Sequence, residues 1–291
     1  TAIAALTESL GTMGLQEAKL GVELENLSND QQDAIRAAFP RAQIKDCTNL
    51  IRLIRMVKTV EEIERLRVAA QIAEDAGAAA LQLASAGCKI QSIIEGFRSL
   101  VAEAGADFEH FCFTIGGYGL ATEPNYQLMT NDLLQVDWGC IYRHYFSDTG
   151  TTLMTRPPTG SVNHYFQAVC QSIEDGFQHL RPGVKASQVQ SAMIETLAAF
   201  GVTGQFPHGH GMGLEIRDYP ILVPDNGLHI RDECVDVPSD LLLEKDMVVN
   251  LESNILLPDY GAWHSEQTFL VTSSGAALLI PQSRDEPIVC G

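Results

Sequence analysis

The sequence has few basic residues, no long apolar run and no closely spaced pair of cysteines. Its 291 residues include 19 Lys and Arg against 37 Asp and Glu, which gives a formal net charge of -18. Such a charge disfavours a nucleic-acid-binding protein, because those proteins need Lys and Arg to replace the counterions of the phosphates. No run reaches the roughly 18 apolar residues of a membrane-spanning helix, so we expect no membrane segment.

The cysteine pattern and the N-terminal segment exclude further classes. Seven cysteines are present, and none forms a C-x-x-C pair of the kind found in zinc knuckles and thioredoxin-like sites. The first residues, TAIAALTESLGTMG, lack the basic start of a signal peptide. We therefore expect reduced cysteines in a cytoplasmic protein. A hydrophobic fraction of 45% and a charged fraction of 19% are typical of a folded chain.

The apolar pattern divides the chain into a short first part and a long second part. In the first part, residues 18–24 and 42–46 have strand character and flank a predicted helix over 30–39. This α/β unit has too few strands for a complete sheet. We interpret residues 1–55 as the later part of an N-terminal domain, the earlier half of which is missing from this sequence.

The second part, residues 56–291, alternates helical and strand patterns in a way that predicts an α+β fold. Thr59 followed by Glu61 and Glu62 is typical of a helix start. Two helices, a group of strands, two further helices and a second group of strands follow in order, which indicates a pseudo-repeat. The second group of strands is predicted over 213–216, 247–254, 267–272 and 276–279.

Four acidic residues stand on segments that are otherwise apolar strands. Asp137 lies in LLQVDWG and Asp148 in YFSDTGTT, a spacing that suits two paired strands joined by a turn. Glu252 lies in VVNLESN, Glu266 in HSEQTFLVT, and His210 in the glycine-rich stretch HGHGMGLE. Buried carboxylates are costly unless they are paired, protonated or bound to a cation. Four carboxylates and an imidazole suit Mn, Co, Fe or Zn in a dinuclear centre.

Four separated motifs resemble the pita-bread metallohydrolases, the family of methionine aminopeptidase, aminopeptidase P, prolidase and creatinase. They are the paired-aspartate hairpin VDWGCIYRHYFSDTGTTL, the histidine motif GHGMGLEIRDYP, and the glutamate strands EKDMVVNLESNILLP and HSEQTFLVTSSG. The resemblance implies a pita-bread catalytic domain over 56–291, preceded by the tail of a creatinase-type α/β N-terminal domain over 1–55. Family members are usually homodimers or larger, so we expect a homodimer.

The same resemblance implies a metal site and a reaction. The implied metal ligands are Asp137, Asp148, His210, Glu252 and Glu266, and they hold two divalent ions, with manganese preferred and cobalt, zinc or iron as alternatives. The implied reaction is hydrolysis of an amide C–N bond by a metal-bridging hydroxide. Glu252 takes the proton of the water and passes it to the leaving nitrogen.

The residues that surround the substrate in proline-specific members differ in this chain. Asn125 and Arg217 stand where those members commonly carry histidines, and His264 stands where an arginine is frequent. We interpret all three as candidate substrate-binding residues, with Arg217 able to hold a carboxylate. His208 is a candidate catalytic residue that carries a proton or donates to an oxyanion. A structural imidazole at His208 and a surface ion pair at Arg217 are the alternatives.

Two features have no assigned role. The acidic stretch over 221–245 is longer than a direct connection needs, and it is consistent with a lid, an oligomer contact or a solvated insertion. The remaining histidines have no partner motif, and they are His110, His144, His164, His179 and His229.

The leading functional hypothesis is a metal-dependent hydrolase of small peptides, similar to Xaa-Pro aminopeptidases and dipeptidases. The altered substrate residues keep a second hypothesis open, a small-molecule enzyme on the same scaffold. Its reaction is that of a creatinase-like or ectoine-type hydrolase or a dimethylsulfoniopropionate lyase. A third hypothesis is a non-catalytic pita-bread module, and the complete ligand set argues against it.

Overall fold

The structure is a computed structural model that describes residues 2–121, 123, 125–157, 159–281 and 286–290. The backbone divides into two compact units, the first formed by Thr1–Arg55 and Asn226–Ser239, the second by Met56–Asp225 and Asp240–Gly291. Among the described residues, every helix is too short or too polar to cross a bilayer.

The helices and strands of the described residues have the following bounds. The helices are α1 (Ala2–Thr12), α2 (Asn29–Ala38), α3 (Thr48–Met56), α4 (Val60–Leu81), α5 (Ile90–Glu103), α6 (Gly160–His179) and α7 (Ala186–Ala199), with a 3-10 helix over Leu24–Asn26. The strands are β1 (Lys19–Val22), β2 (Gln43–Asp46), β3 (Asp107–Thr114), β4 (Leu120–Ala121), β5 (Leu133–Tyr142), β6 (Tyr145–Phe146), β7 (Thr149–Met154), β8 (His208–Gly211), β9 (Asp218–Leu222), β10 (His229–Arg231), β11 (Asp236–Pro238), β12 (Val248–Leu257), β13 (Gly261–Val271), β14 (Ala276–Leu278) and β15 (Ile288–Val289).

The N-terminal unit contains a parallel pair of strands and an antiparallel hairpin. β1 and β2 pair in parallel, and β10 and β11 form the hairpin. The acidic turn between β10 and β11 accepts hydrogen bonds from backbone N–H groups of residues 46 and 50. The backbone N–H of Asp46 donates to Glu233 at 2.6 Å, and that of Leu50 donates to Asp232 at 2.9 Å. Residues 226–239 of the long acidic stretch therefore pack within the N-terminal unit.

The second unit is built on a mixed sheet whose strands run in the order β4-β3-β5-β7-β13-β12-β8-β9, with β6, β14 and β15 paired at its sides. Its first helix starts where the sequence predicts. The Thr59 hydroxyl accepts from the N–H of Glu62, and the Glu62 carboxylate accepts from the N–H of Thr59 at 2.8 Å. This capping box satisfies N–H groups that have no partner inside the helix.

Two tryptophans join the helices to one face of this sheet. Trp138 Nε1 donates to the carbonyl of Ala73 at 2.9 Å, and Trp263 Nε1 donates to that of Val162 at 3.0 Å. Both indoles are fully buried. Helix α4 approaches so closely at Gly77 that a Cβ there would lie 2.2 Å from Trp138 Nε1. Successive strand residues alternate between faces, so the neighbours of the tryptophans point to the opposite face.

The strand predicted over 213–216 is wrong. These residues form a bend between β8 and β9. A Cβ at Gly213 would lie 2.5 Å from Oδ2 of Asp218, and one at Gly211 would lie 2.1 Å from the carbonyl oxygen of Tyr219. The glycines therefore permit a close turn of the chain, although their apolar neighbours have the pattern of a strand.

Candidate metal centre

Neighbouring strands bring the predicted metal ligands to the sheet face opposite the helices. Glu252 of β12 lies directly opposite Glu266 of β13, and β8 pairs with β12 on its other side and carries His210. On β5, Asp137 lies opposite Gly150 of β7, and Gly150 in turn lies opposite Glu266. The strand pairing alone thus places four of the five predicted ligands side by side.

Asp148, which immediately precedes β7, completes the group. The Nε2 atom of His210 lies 3.6 Å from Oδ2 of Asp148 and 3.7 Å from Oε1 of Glu252. Asp148, His210 and Glu266 each direct one ligand atom to within 4.8 Å of the others. Asp148 Oδ1 and His210 Nε2 are buried without a hydrogen-bond partner among the described residues. Buried polar atoms without such partners are expected at a site that binds a cation.

The charges of these groups conflict in the absence of a cation. Burial raises the pKa of Asp148 well above its usual range, and Glu266 and Asp137 raise it further. Burial, Asp137 and Glu252 likewise raise the pKa of Glu266. Burial lowers the pKa of His210 to about 4, which favours the neutral imidazole that binds metals. The donors and their electrostatics therefore fit divalent metal ions.

Glu252 lies between this cluster and two groups on its other side. His208 Nε2 lies 2.7 Å from Oε1 of Glu252, and Arg217 Nη2 donates to the same oxygen at 3.0 Å. Arg217 Nη1 lies 3.0 Å from His208 Nε2, and the Arg217 side chain is 53% exposed. The predicted residues His208 and Arg217 are thus adjacent to Glu252, and Arg217 reaches solvent.

His264 and Asn125, the other two candidate substrate-binding residues, have different surroundings. His264 is fully buried, and its Nε2 lies 3.1 Å from Oε2 of Glu266. Gly150 makes room for the ring, because a Cβ there would lie 2.4 Å from Nε2 of His264. Asn125 lies in an exposed turn. In the part of the chain that the structure describes, no hydrogen bond or ion pair joins Asn125 to the carboxylates.

The structure adds His110, a histidine that has no partner motif in the sequence. His110 Nε2 lies 2.9 Å from Oδ1 of Asp137 and 3.4 Å from Oδ1 of Asp148. Burial lowers the pKa of His110, but its hydrogen bonds to Asp137 and Glu109 and the nearby carboxylate of Asp148 outweigh burial and raise it. The signal available in the sequence was the polar pair Glu-His within the strand FEHFCFT, the same pattern that identified Asp137.

Two family models match the chain. Residues 64–273 match metallopeptidase family M24, and residues 2–57 match the creatinase/prolidase N-terminal domain. The first match covers most of the chain. The chain belongs to metallopeptidase family M24. This result confirms the family that the four motifs predicted.

Individual relatives agree with the family and with the fold. The chain is 27% identical to Xaa-Pro dipeptidase of Pyrococcus horikoshii over 52% of its own length and 45% of the relative's length. It superimposes on the crystal structure of X-Pro aminopeptidase from Thermotoga maritima with a TM-score of 0.84 and 21% identity, covering 99% of this chain and 80% of that one. For prolidase from Pyrococcus furiosus the TM-score is 0.78 and the identity 25%, with 93% and 79% covered.

These similarities confirm the predicted pita-bread fold. The chain spans about half the length of the curated relatives it matches, since it covers 45% and 46% of the two Pyrococcus dipeptidases.

Proposed function

We propose that the protein is a metal-dependent Xaa-Pro peptidase that cleaves an amide C–N bond of a small peptide. The observation that carries the proposal is the position of Glu252. One of its oxygens lies 3.7 Å from the metal-ligand candidate His210 and 2.7 Å from His208, and it also accepts from Arg217. Glu252 thus lies between the metal-ligand candidates and the solvent-accessible guanidinium of Arg217. This position suits a site that holds a peptide against a metal centre. The relatives named Xaa-Pro dipeptidase support the class of substrate.

The proposed ligands of two divalent ions are Asp137, Asp148, His210, Glu252 and Glu266. When bound, the ions lower the pKa of the attacking water and polarise the scissile carbonyl. Glu252 is ionised at neutral pH, because His208, His210 and Arg217 overcome its burial and lower its pKa to about 2. It therefore accepts a proton from the water as the oxygen bonds to the carbonyl carbon, and it delivers that proton to the leaving nitrogen as the C–N bond breaks.

The two neighbours of Glu252 have separate proposed roles. His208 donates a hydrogen bond to the oxygen that gains charge during attack, or it relays the proton of Glu252. Arg217 holds the terminal carboxylate of the substrate, since its planar fork suits that group and more than half of its side chain is accessible. His264, whose Nε2 lies 3.1 Å from Oε2 of Glu266, orients the Glu266 carboxylate within the buried part of the site. His264 and Asn125 stay predictions as substrate-binding residues.

Further properties are proposals at the same level. The match of residues 2–57 to a creatinase/prolidase N-terminal domain supports a domain boundary near residue 56. A ligand set rich in carboxylate oxygens supports manganese over metals that prefer softer ligands such as thiolates. A homodimer and a cytoplasmic location stay predictions from the sequence.

A peptide panel tests the proposed reaction. The chain is stripped with a chelator, reloaded with Mn²⁺, Co²⁺ or Zn²⁺, and incubated with Leu-Pro, Ala-Pro and Ala-Pro-Ala beside the matched peptides Leu-Ala and Ala-Ala-Ala. We expect metal-dependent cleavage of the proline peptides and weak or no cleavage of the matched set. Failure to cleave any peptide would contradict the peptidase assignment. Turnover of creatine or dimethylsulfoniopropionate by the same protein would then favour the small-molecule class.

A further inference from the structure

We propose that His110 is a nitrogen ligand of the metal centre, in addition to His210. The proposal deepens the proposed function, because it concerns the same cluster of carboxylates. It adds a second imidazole to the proposed ligand set of four carboxylates and His210.

The spacing of three atoms is the first observation. His110 Nε2 lies 2.9 Å from Oδ1 of Asp137 and 3.4 Å from Oδ1 of Asp148. Two nitrogen or oxygen ligands of one ion, each about 2.0–2.1 Å from it, lie roughly 2.9–3.4 Å apart in tetrahedral or octahedral geometry. The three residues also form a group in which every ligand atom lies within 4.8 Å of the others. Their spacing is therefore that of ligands of a single ion.

The other ring nitrogen of His110 gives the second observation. Nδ1 of His110 is hydrogen-bonded to the carboxylate of Glu109. Ligating histidines generally donate their second N–H to a carboxylate or a carbonyl, which fixes the tautomer and the orientation of the ring. His210 has the same arrangement, with Nδ1 donating to the carbonyl of Gly211 at 3.1 Å. Both imidazoles thus anchor Nδ1 outside the cluster and direct Nε2 into it.

The backbone around His110 provides the third observation. The pairing of β3 with β5 shifts register between Phe108 and His110, and such bulges re-aim side chains. His110 lies opposite Gly139, where a Cβ would lie 2.7 Å from Cε1 of the imidazole. The strand irregularity and the glycine together make the space that the ring occupies.

The test counts imidazole ligands on the full chain loaded with Co²⁺ alone. Paramagnetic proton NMR in water shows a strongly shifted, exchangeable N–H signal for each histidine that binds cobalt. We expect two such signals in the wild type and in the control His164→Gln, whose histidine is exposed on α6. We expect one signal in both His110→Ala and His110→Gln. Glutamine can still donate to Asp137 but provides no ring nitrogen. Calorimetry should show about tenfold or greater weakening of Co²⁺ binding in both His110 variants.

The contrary results are distinct from a failure of the proposed function. A single shifted signal in the wild type that persists in both His110 variants would overturn the proposal, as would wild-type cobalt affinity in His110→Gln. Two signals in a chain that cleaves no peptide would support His110 as a ligand and contradict the proposed function. A chain that binds no cobalt would contradict both proposals.

Discussion

The Nε2 atom of His208 lies 2.7 Å from Oε1 of Glu252, an oxygen that Arg217 also contacts at 3.0 Å. The same oxygen lies 3.7 Å from Nε2 of His210 on the metal side. Glu252 therefore joins the group of metal ligands to the residues that we propose contact the substrate.

Replacing His208 should affect turnover more than metal binding. We expect His208→Gln to lower kcat for an Xaa-Pro dipeptide by about a hundredfold or more, because a proton donor next to Glu252 is lost. Metal content, measured by mass spectrometry of the purified chain, should not change. His164→Gln is the matched control and should keep wild-type kinetics. Unchanged kcat in His208→Gln would leave the imidazole with a structural role.

Arg217 should recognise the carboxylate of the substrate. We expect Arg217→Ala to raise KM for a dipeptide such as Leu-Pro by about tenfold or more, because a charge-assisted hydrogen bond is lost. The amide Leu-Pro-NH₂ lacks that carboxylate, so its KM should change little. Equal losses for both substrates would contradict carboxylate binding and indicate that Arg217 acts through Glu252.

Neutral replacements at the ligand carboxylates should remove metal without changing side-chain size. We expect Asp148→Asn and Glu266→Gln to reduce sharply the number of Mn²⁺ ions bound per chain, since both carboxylates lie in the buried group with His210. Glu195→Gln, an exposed residue of α7, is the matched control. Wild-type metal stoichiometry in Asp148→Asn and Glu266→Gln would show that the ligand assignment is wrong.

Metal binding should weaken in acid. Burial and neighbouring carboxylates raise the pKa of Asp148 and of Glu266, so both keep protons at pH values where ordinary carboxyls have lost them. A bound cation must displace those protons. We expect the Kd for Mn²⁺ to increase as the pH falls, with proton release visible by calorimetry in two buffers of different ionisation enthalpy. Affinity independent of pH would contradict the raised pKa of both carboxyls.

The same shifts give opposite stability trends with and without metal. A carboxyl whose pKa is raised by folding opposes folding when it ionises, so the metal-free chain should gain in Tm as the pH falls towards 6.5. Below that pH the lowered pKa of His210, about 4, opposes the gain. The metal-loaded chain should lose Tm, because acid releases its ions. Glu252 has a lowered pKa, and its contribution to stability is lost only as the pH falls from 4.5 towards about 2. It therefore leaves the trend above pH 4.5 unchanged.

The metal-ligand candidates and the helix starts could be predicted from local sequence. Acids on apolar strands identify groups whose burial needs a cation, and Thr59 with Glu62 identifies a capping box. Each of these signals lies within a few residues of sequence. The fold then brings the acids together, because the strands that carry them are neighbours in the sheet.

His110 and the acidic stretch could not be assigned in this way. The approach of His110 to Asp137 depends on a register shift and on Gly139 in another strand. The packing of residues 226–239 within the N-terminal unit depends on hydrogen bonds between residues that are distant in sequence, such as Asp46 and Glu233. The bend over 213–216 was missed because its apolar residues resemble a strand, whereas its conformation follows from close backbone contacts at glycines.

The most direct test measures proline release from Leu-Pro while the metal-free chain is titrated with Mn²⁺. We expect release to increase until about two ions are bound per chain. We also expect Glu252→Gln, at matched metal occupancy, to release proline about 10²–10⁴-fold more slowly. A wild-type chain that binds its full complement of metal and releases no proline would contradict the account.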